Sequence, residues 1–184
     1  DHRLPEFSAL VQKIGQTGMH VLCNRLAMVT ARGQRFSIAG LDAAAGREGT
    51  FHTAYPNETQ ARLLCQLCGM PGVRLVLDHY PENFALRGQM SYNQYTFELM
   101  LAGHAHGGQV RLPWIGALFA PGQGLFPRYT AGPYEGQTSR LLVSRGLGGR
   151  AMLPRVGNRP QIVCVHILPD GQKMEQKERN EIDQ

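Results

Sequence analysis

Two histidines stand one residue apart in Gly103-His104-Ala105-His106-Gly107-Gly108-Gln109, directly after the apolar run Phe97-Glu98-Leu99-Met100-Leu101-Ala102. Side chains alternate along an extended chain, so in a strand both imidazoles would project to one side. Imidazole ligates zinc, iron and manganese, and the pair reads as half of a metal site. Glycines 103, 107 and 108 carry no Cβ, which lets a ligand or a neighbouring segment approach the backbone and permits positive φ on leaving the strand. A third imidazole, His79, follows the aliphatic run Val73-Arg74-Leu75-Val76-Leu77 within Asp78-His79-Tyr80-Pro81. Each histidine alone reads as a surface or core residue. Placed together at the carboxyl ends of strands, where open α/β sheets bind ligands, the three favour metal.

The elements that must carry these residues follow an α/β order. Phe7, Leu10, Val11 and Ile14 are helically spaced and Pro5 suits a first turn, which predicts a helix over Pro5 to Gln16. Short strands are expected at Val21 to Cys23, Leu26 to Thr30 and Phe36 to Leu41, with turns at Asn24-Arg25 and Arg32-Gly33. Asn57 and Gln60 form a capping-box pattern opening a second helix to Gly69. Further strands are expected near 73 to 77, 98 to 102, 140 to 144 and 161 to 168.

The order strand-x-His-x-Pro in Asp78 to Pro81, then Leu-x-Gly-His-x-His-Gly-Gly-Gln-Val-x-Leu-Pro in Leu101 to Pro113, resembles the calcineurin-like metallophosphoesterase superfamily. Ser-Arg-Gly-Leu-Gly at Ser144 to Gly148 and Asn-Arg-Pro-x-Ile at Asn158 to Ile162 support the likeness. More narrowly it is similar to the bacterial membrane-associated branch of phosphodiesterases and UDP-2,3-diacylglucosamine hydrolases. The resemblance implies part of an α/β/β/α sandwich over residues 1 to 168, followed by a polar tail at 169 to 184. It also implies a centre of two divalent cations (manganese, iron or zinc), with His79 and His104 on one ion and His106 on the other. Two such cations roughly 3.5 to 4 Å apart serve in-line phosphoester cleavage. The family's Asp-x-His, Gly-Asp and Gly-Asn-His motifs, which supply the remaining ligands and the general-acid histidine, do not occur here. Asp1 looks like the acidic residue that follows Gly-Asn-His. The expectation is therefore the carboxyl-terminal part of an enzyme, inactive alone, whose catalytic histidine lies upstream of Asp1. Asp78 and Gln109 are candidates for orienting the histidines.

Between residues 87 and 159 lie eight arginines, no lysine, and only Glu98 and Glu135 as acids. Guanidinium groups pair bidentately with phosphate, so the segment suits a polyanionic substrate, with Arg145 and Arg111 as candidate phosphate contacts. The stretch from Arg111 to Pro127 is apolar, yet its prolines and glycines bar a long helix or central strand. One reading folds Trp114, Leu118 and Phe126 back as a lid on the core. The other has Trp114, Leu118 and Phe119 receive acyl chains of a lipid-linked phosphoester at the membrane surface. No run approaches the 18 apolar residues that a membrane span needs. The resemblance implies a bacterial protein, cytoplasmic or peripheral at the membrane.

Cys65 and Cys68 fall late in the second helix, where the dipole disfavours thiolates, and are expected to be small core side chains without a redox role. Residues 171 to 184 hold three basic and four acidic residues with little to bury, the pattern of a solvated end. Two other classes stay open. One is a non-catalytic metal-binding or structural fragment. The other is a basic nucleic-acid-binding domain, for which no helix-turn-helix, zinc-finger or RNA-recognition signature is present, so no specific nucleic-acid partner is expected.

Overall fold

The computed structural model describes residues 5–42, 57–85, 91–148 and 154–168. The helix α1 covers Pro5–Gln16 as its spacing requires, with Val11 and Ile14 half-buried and Leu10 exposed. Strands β1 (Arg25–Ala31) and β2 (Gln34–Gly40) form a hairpin. Its two turn residues, Arg32 and Gly33, have φ of 49° and 77°. Positive φ at both positions is the type I′ geometry that matches strand twist. The expected strand at Val21 to Cys23 does not form.

Helix α2 (Glu58–Cys68) opens on the anticipated capping box: Asn57 Oδ1 accepts from the Thr59 and Gln60 amides, and the Gln60 side chain accepts from the Asn57 amide. Cys68 is half-buried, but Cys65 is exposed, which corrects the expectation of two core thiols. On a helix surface, residues three apart share a side without that side having to be the buried one.

Strands β3 (Val73–Leu77) and β4 (Leu99–Ala102) follow. Next come two two-stranded hairpins, β5 (Arg111–Leu112) with β6 (Gly116–Ala117) and β7 (Phe119–Ala120) with β8 (Gly124–Leu125). Strands β9 (Gly132–Glu135) and β10 (Arg140–Val143) complete the main sheet, whose order is β1-β2-β3-β4-β10-β9. The four central strands are parallel and both edges antiparallel. The chain is thus α/β, as the alternation of elements implies.

Register explains the core. Ala39, Val76, Met100 and Leu141 lie side by side across β2, β3, β4 and β10, and all are fully buried. Leu64 and Leu67 of α2 join this cluster with Phe84, Tyr92 and Phe97. Burying each large side chain contributes about 1.5–3 kcal/mol. The opposite face presents Ile38, Leu75, Leu99, Leu101 and Leu142 half-buried and Leu77 exposed. Parallel sheets are ordinarily covered on both faces.

Residues 161–168 were expected to form a strand. Only Gln161 makes a bridge, to Gly146, and Ile162, Val165, Ile167 and Leu168 are exposed. Apolar alternation supplies a strand's side chains, but its backbone needs a neighbouring strand, and none pairs with this segment among the described residues. The expected polar tail lies outside the described residues.

Candidate metal centre

The sheet brings His79 and His104 together. Leu77 of β3 pairs with Leu101 of β4, and the ladder runs on past both strands. The Asp78 amide donates to the Leu101 carbonyl at 3.2 Å, and the Gly103 amide to the His79 carbonyl at 3.2 Å. The two imidazoles emerge beside each other with His104 Nδ1 3.1 Å from His79 Nε2. Tyr80 closes the cluster, its ring centroid 4.3 Å from that of His104 and 5.1 Å from that of His79. Burial and then the charge of His106 hold the His79 ring below the ordinary histidine pKa. Both effects favour neutral imidazole, the form that ligates metal.

The loop after β4 departs from the expected extended path. His104, His106 and Gln109 have φ of 57°, 47° and 48°, and Gly107 and Gly108 have 68° and 80°. A tight 3₁₀ turn covers His106–Gly108. A left-handed turn, and not the period-two alternation of a strand, therefore carries His104 and His106. Left-handed backbone costs a non-glycine residue roughly 1–2 kcal/mol, so neighbours must hold it. The glycines make room for those neighbours: a Cβ on Gly107 would strike the Asn158 amide, and one on Gly108 would strike Ala117 Cβ.

Three side chains grip the carbonyls of this loop. Asn158 Nδ2 donates to His106 O at 2.6 Å and to Gln109 O at 3.2 Å. Arg155 Nη1 donates to His106 O at 3.3 Å. Arg111 Nη1 donates to Gly107 O at 2.9 Å and to Thr130 Oγ1 at 3.1 Å. Arg111 thus supports the histidine loop, a role its charge alone did not reveal.

Arg145 lies in the Ser144–Gly148 turn with its Nε buried and unpartnered among the described residues. Asp78, directly after β3, is buried. Its carboxylate accepts from the Tyr80 amide at 3.2 Å and from Asn83 Nδ2 at 3.0 Å, and burial pushes its pKa up to about 6. The Gln109 side-chain amide is buried without a partner among the described residues.

Trp114, at the tip of the β5–β6 hairpin, is fully exposed, as are most of Leu125 and Phe126. The lid reading is overturned for Trp114 and Phe126, while Leu118 is half-buried.

A cavity of about 430 Å³ opens at the carboxyl ends of β2, β3 and β4, walled by Gly40, Leu77, Asp78, His79 and Gly103. His20, which the sequence reading passed over, faces it from the segment before β1. No periodicity or motif marks His20; only the fold brings it there.

Nitrogens sharing one cation, each about 2.1 Å from it, stand roughly 3 to 3.5 Å apart. The His79–His104 separation fits that spacing. Among the described residues no group of three His, Cys, Asp or Glu side chains gathers closely enough to hold a metal.

No family model matches the chain, and no solved structure matches it. Among curated proteins it is 29% identical over 160 residues to phosphodiesterase YaeI of Escherichia coli (strain K12), a match covering 84% of this chain and 51% of that protein. It is 33% identical over 88 residues to the uncharacterized metallophosphoesterase YkuE of Bacillus subtilis (strain 168), covering 48% of this chain and 28% of that protein. The chain thus spans about half the length of the first relative and less of the second. These likenesses to a phosphodiesterase and a metallophosphoesterase, with the histidine motifs at the sheet edge, support a relationship to the calcineurin-like metallophosphoesterases.

Proposed function

We propose that this chain supplies the imidazole part of a phosphoester-hydrolysing centre: His79 and His104 for one divalent cation and His106 for a second. The observation that carries this reading is the 3.1 Å convergence of His79 Nε2 and His104 Nδ1 at the carboxyl edge of a parallel sheet. When bound, divalent cations supply positive charge to the phosphoryl oxygens and lower the pKa of the attacking water. Manganese, iron and zinc all accept mixed imidazole and carboxylate ligation. The carboxylates and further ligands come, in this reading, from additional residues in a protein of the relatives' length. The half-exposed apolar face of the sheet agrees with a second layer there. Arg145 binds the phosphate, while Arg111 holds the loop that carries His106.

The substrate we infer is amphiphilic. Leu112, Trp114, Ile115, Leu125 and Phe126 are all exposed on the two hairpins after the histidine loop. Such a concentration of apolar surface suits acyl chains or peripheral contact with a membrane.

The test is hydrolysis of bis-p-nitrophenyl phosphate with added manganese by a version extended upstream and by the 184-residue chain. The extended protein should turn over and His104→Ala should abolish it, with the short chain near background. Full, chelator-sensitive activity in the short chain would refute the need for further ligands.

A further inference from the structure

We propose that Arg155 and Asn158 are positioning residues for His106, acting through its backbone and not through its ring. The proposal rests on the reading of His106 as a metal ligand. His106 sits at φ 47°, a conformation its side chain disfavours, between His104 at 57° and Gly107 at 68°. Its carbonyl receives two side-chain donors from far along the chain, Asn158 Nδ2 at 2.6 Å and Arg155 Nη1 at 3.3 Å, besides the Gln109 amide at 3.3 Å. Asn158 is buried and bonds Gln109 O as well, so one amide spans the turn from His106 to Gln109.

The backbone reinforces the clamp. Val156 bridges Val110 in parallel, its carbonyl accepting from the Arg111 amide at 2.8 Å and its amide donating to Gln109 O at 3.1 Å. Arg155 also donates to Arg145 O at 2.7 Å, Gly146 O at 3.2 Å and Gly148 O. One guanidinium therefore ties the turn bearing Arg145 to the backbone of His106. A planar fork reaches several carbonyls at once, which an ammonium on a flexible stem does not reproduce. The clamp fixes where the His106 ring stands relative to His79 and His104. Loss of an outer partner of a ligating histidine typically lowers metal affinity about 10- to 100-fold.

The test follows the ring nitrogens of all histidines by long-range ¹H–¹⁵N spectra during zinc titration of the full chain. In the unmodified chain the rings of His79, His104 and His106 should shift, while His166 serves as the internal reference. Asn158→Asp keeps the side-chain shape but turns the donor into an acceptor facing two carbonyls. It should raise the zinc concentration that half-shifts His106 at least tenfold while leaving His79 and His104 within about twofold. Arg155→Lys should act in the same direction and keeps the test decisive if Asn158→Asp fails to fold. Equal zinc responses of all three rings in a folded variant would overturn the positioning role. Absence of any ring shift in the unmodified chain would instead overturn the metal reading beneath it.

Discussion

His104 Nδ1 lies 3.1 Å from His79 Nε2 although 25 residues separate them, because β3 and β4 are parallel neighbours whose ladder continues one step beyond each strand. Each ring depends on the other strand for its place. His79→Ala should lower zinc affinity about as much as His104→Ala, by at least tenfold, without unfolding the chain. Calorimetric affinities of the two variants and their circular dichroism check this.

Glu82 is buried in the turn after His79, and neither carboxylate oxygen has a partner among the described residues. Burial, with the nearby charge of Asp78, pushes its pKa up from 4.5 to about 7. The unfolded chain releases that proton near 4.5, so the folded state binds more protons between these values and loses stability as pH rises from 5 to 8. Glu82→Gln should therefore be more stable than the unmodified chain at pH 8, by about 1–3 kcal/mol, and nearly equal to it at pH 5. Urea unfolding at the two pH values reads the difference.

Glu98 behaves in the opposite sense. Burial alone would raise its carboxyl, but the hydrogen bonds and charge of Arg74 outweigh that and hold it below the ordinary value. Arg74 Nη2 and Nε reach the carboxylate at 2.5 Å and 3.1 Å, and the Arg74 amide reaches it at 2.6 Å. A lowered carboxylate pKa contributes stability above pH 4.5 that is lost as pH falls through the folded value. Glu98→Gln should cost about 0.5–1 kcal/mol at pH 7 and nothing once the unmodified carboxyl is protonated. Thermal melts from pH 7 down to 3 would show the two proteins converging.

Trp114 is fully exposed, so Trp114→Ala should leave the melting temperature within about a degree. If the hairpin contacts lipid, the same change should weaken binding to anionic phospholipid vesicles by roughly tenfold. Vesicle cosedimentation measures this; unchanged binding would leave the amphiphilic substrate without support.

The elements that local rules determine were legible in the sequence: α1 from its apolar spacing, α2 from Asn57 and Gln60, the hairpin turn at Arg32-Gly33, and the strands leading to His79 and His104. The histidine motifs marked a candidate site because glycines beside imidazoles at a strand end are a local pattern. What stayed hidden depends on contacts distant in sequence. The left-handed turn at His106 is held from Arg155 and Asn158, roughly fifty residues away. The hold of Arg111 on the Gly107 carbonyl was hidden too, because charge is visible in a sequence and hydrogen-bond partners are not. His20 reaches the cavity only through the fold, and the strand expected at 161–168 lacks the neighbour that pairing requires.

The central claim is that the histidines, and not the cysteines, hold metal. Zinc titration by calorimetry of the unmodified chain, the His79→Ala/His104→Ala double variant and the Cys65→Ser/Cys68→Ser double variant tests it most directly. The account predicts binding by the unmodified chain, loss of that binding without the two histidines, and no change without the two cysteines. Binding that survives loss of the histidines and disappears with the cysteines would contradict it.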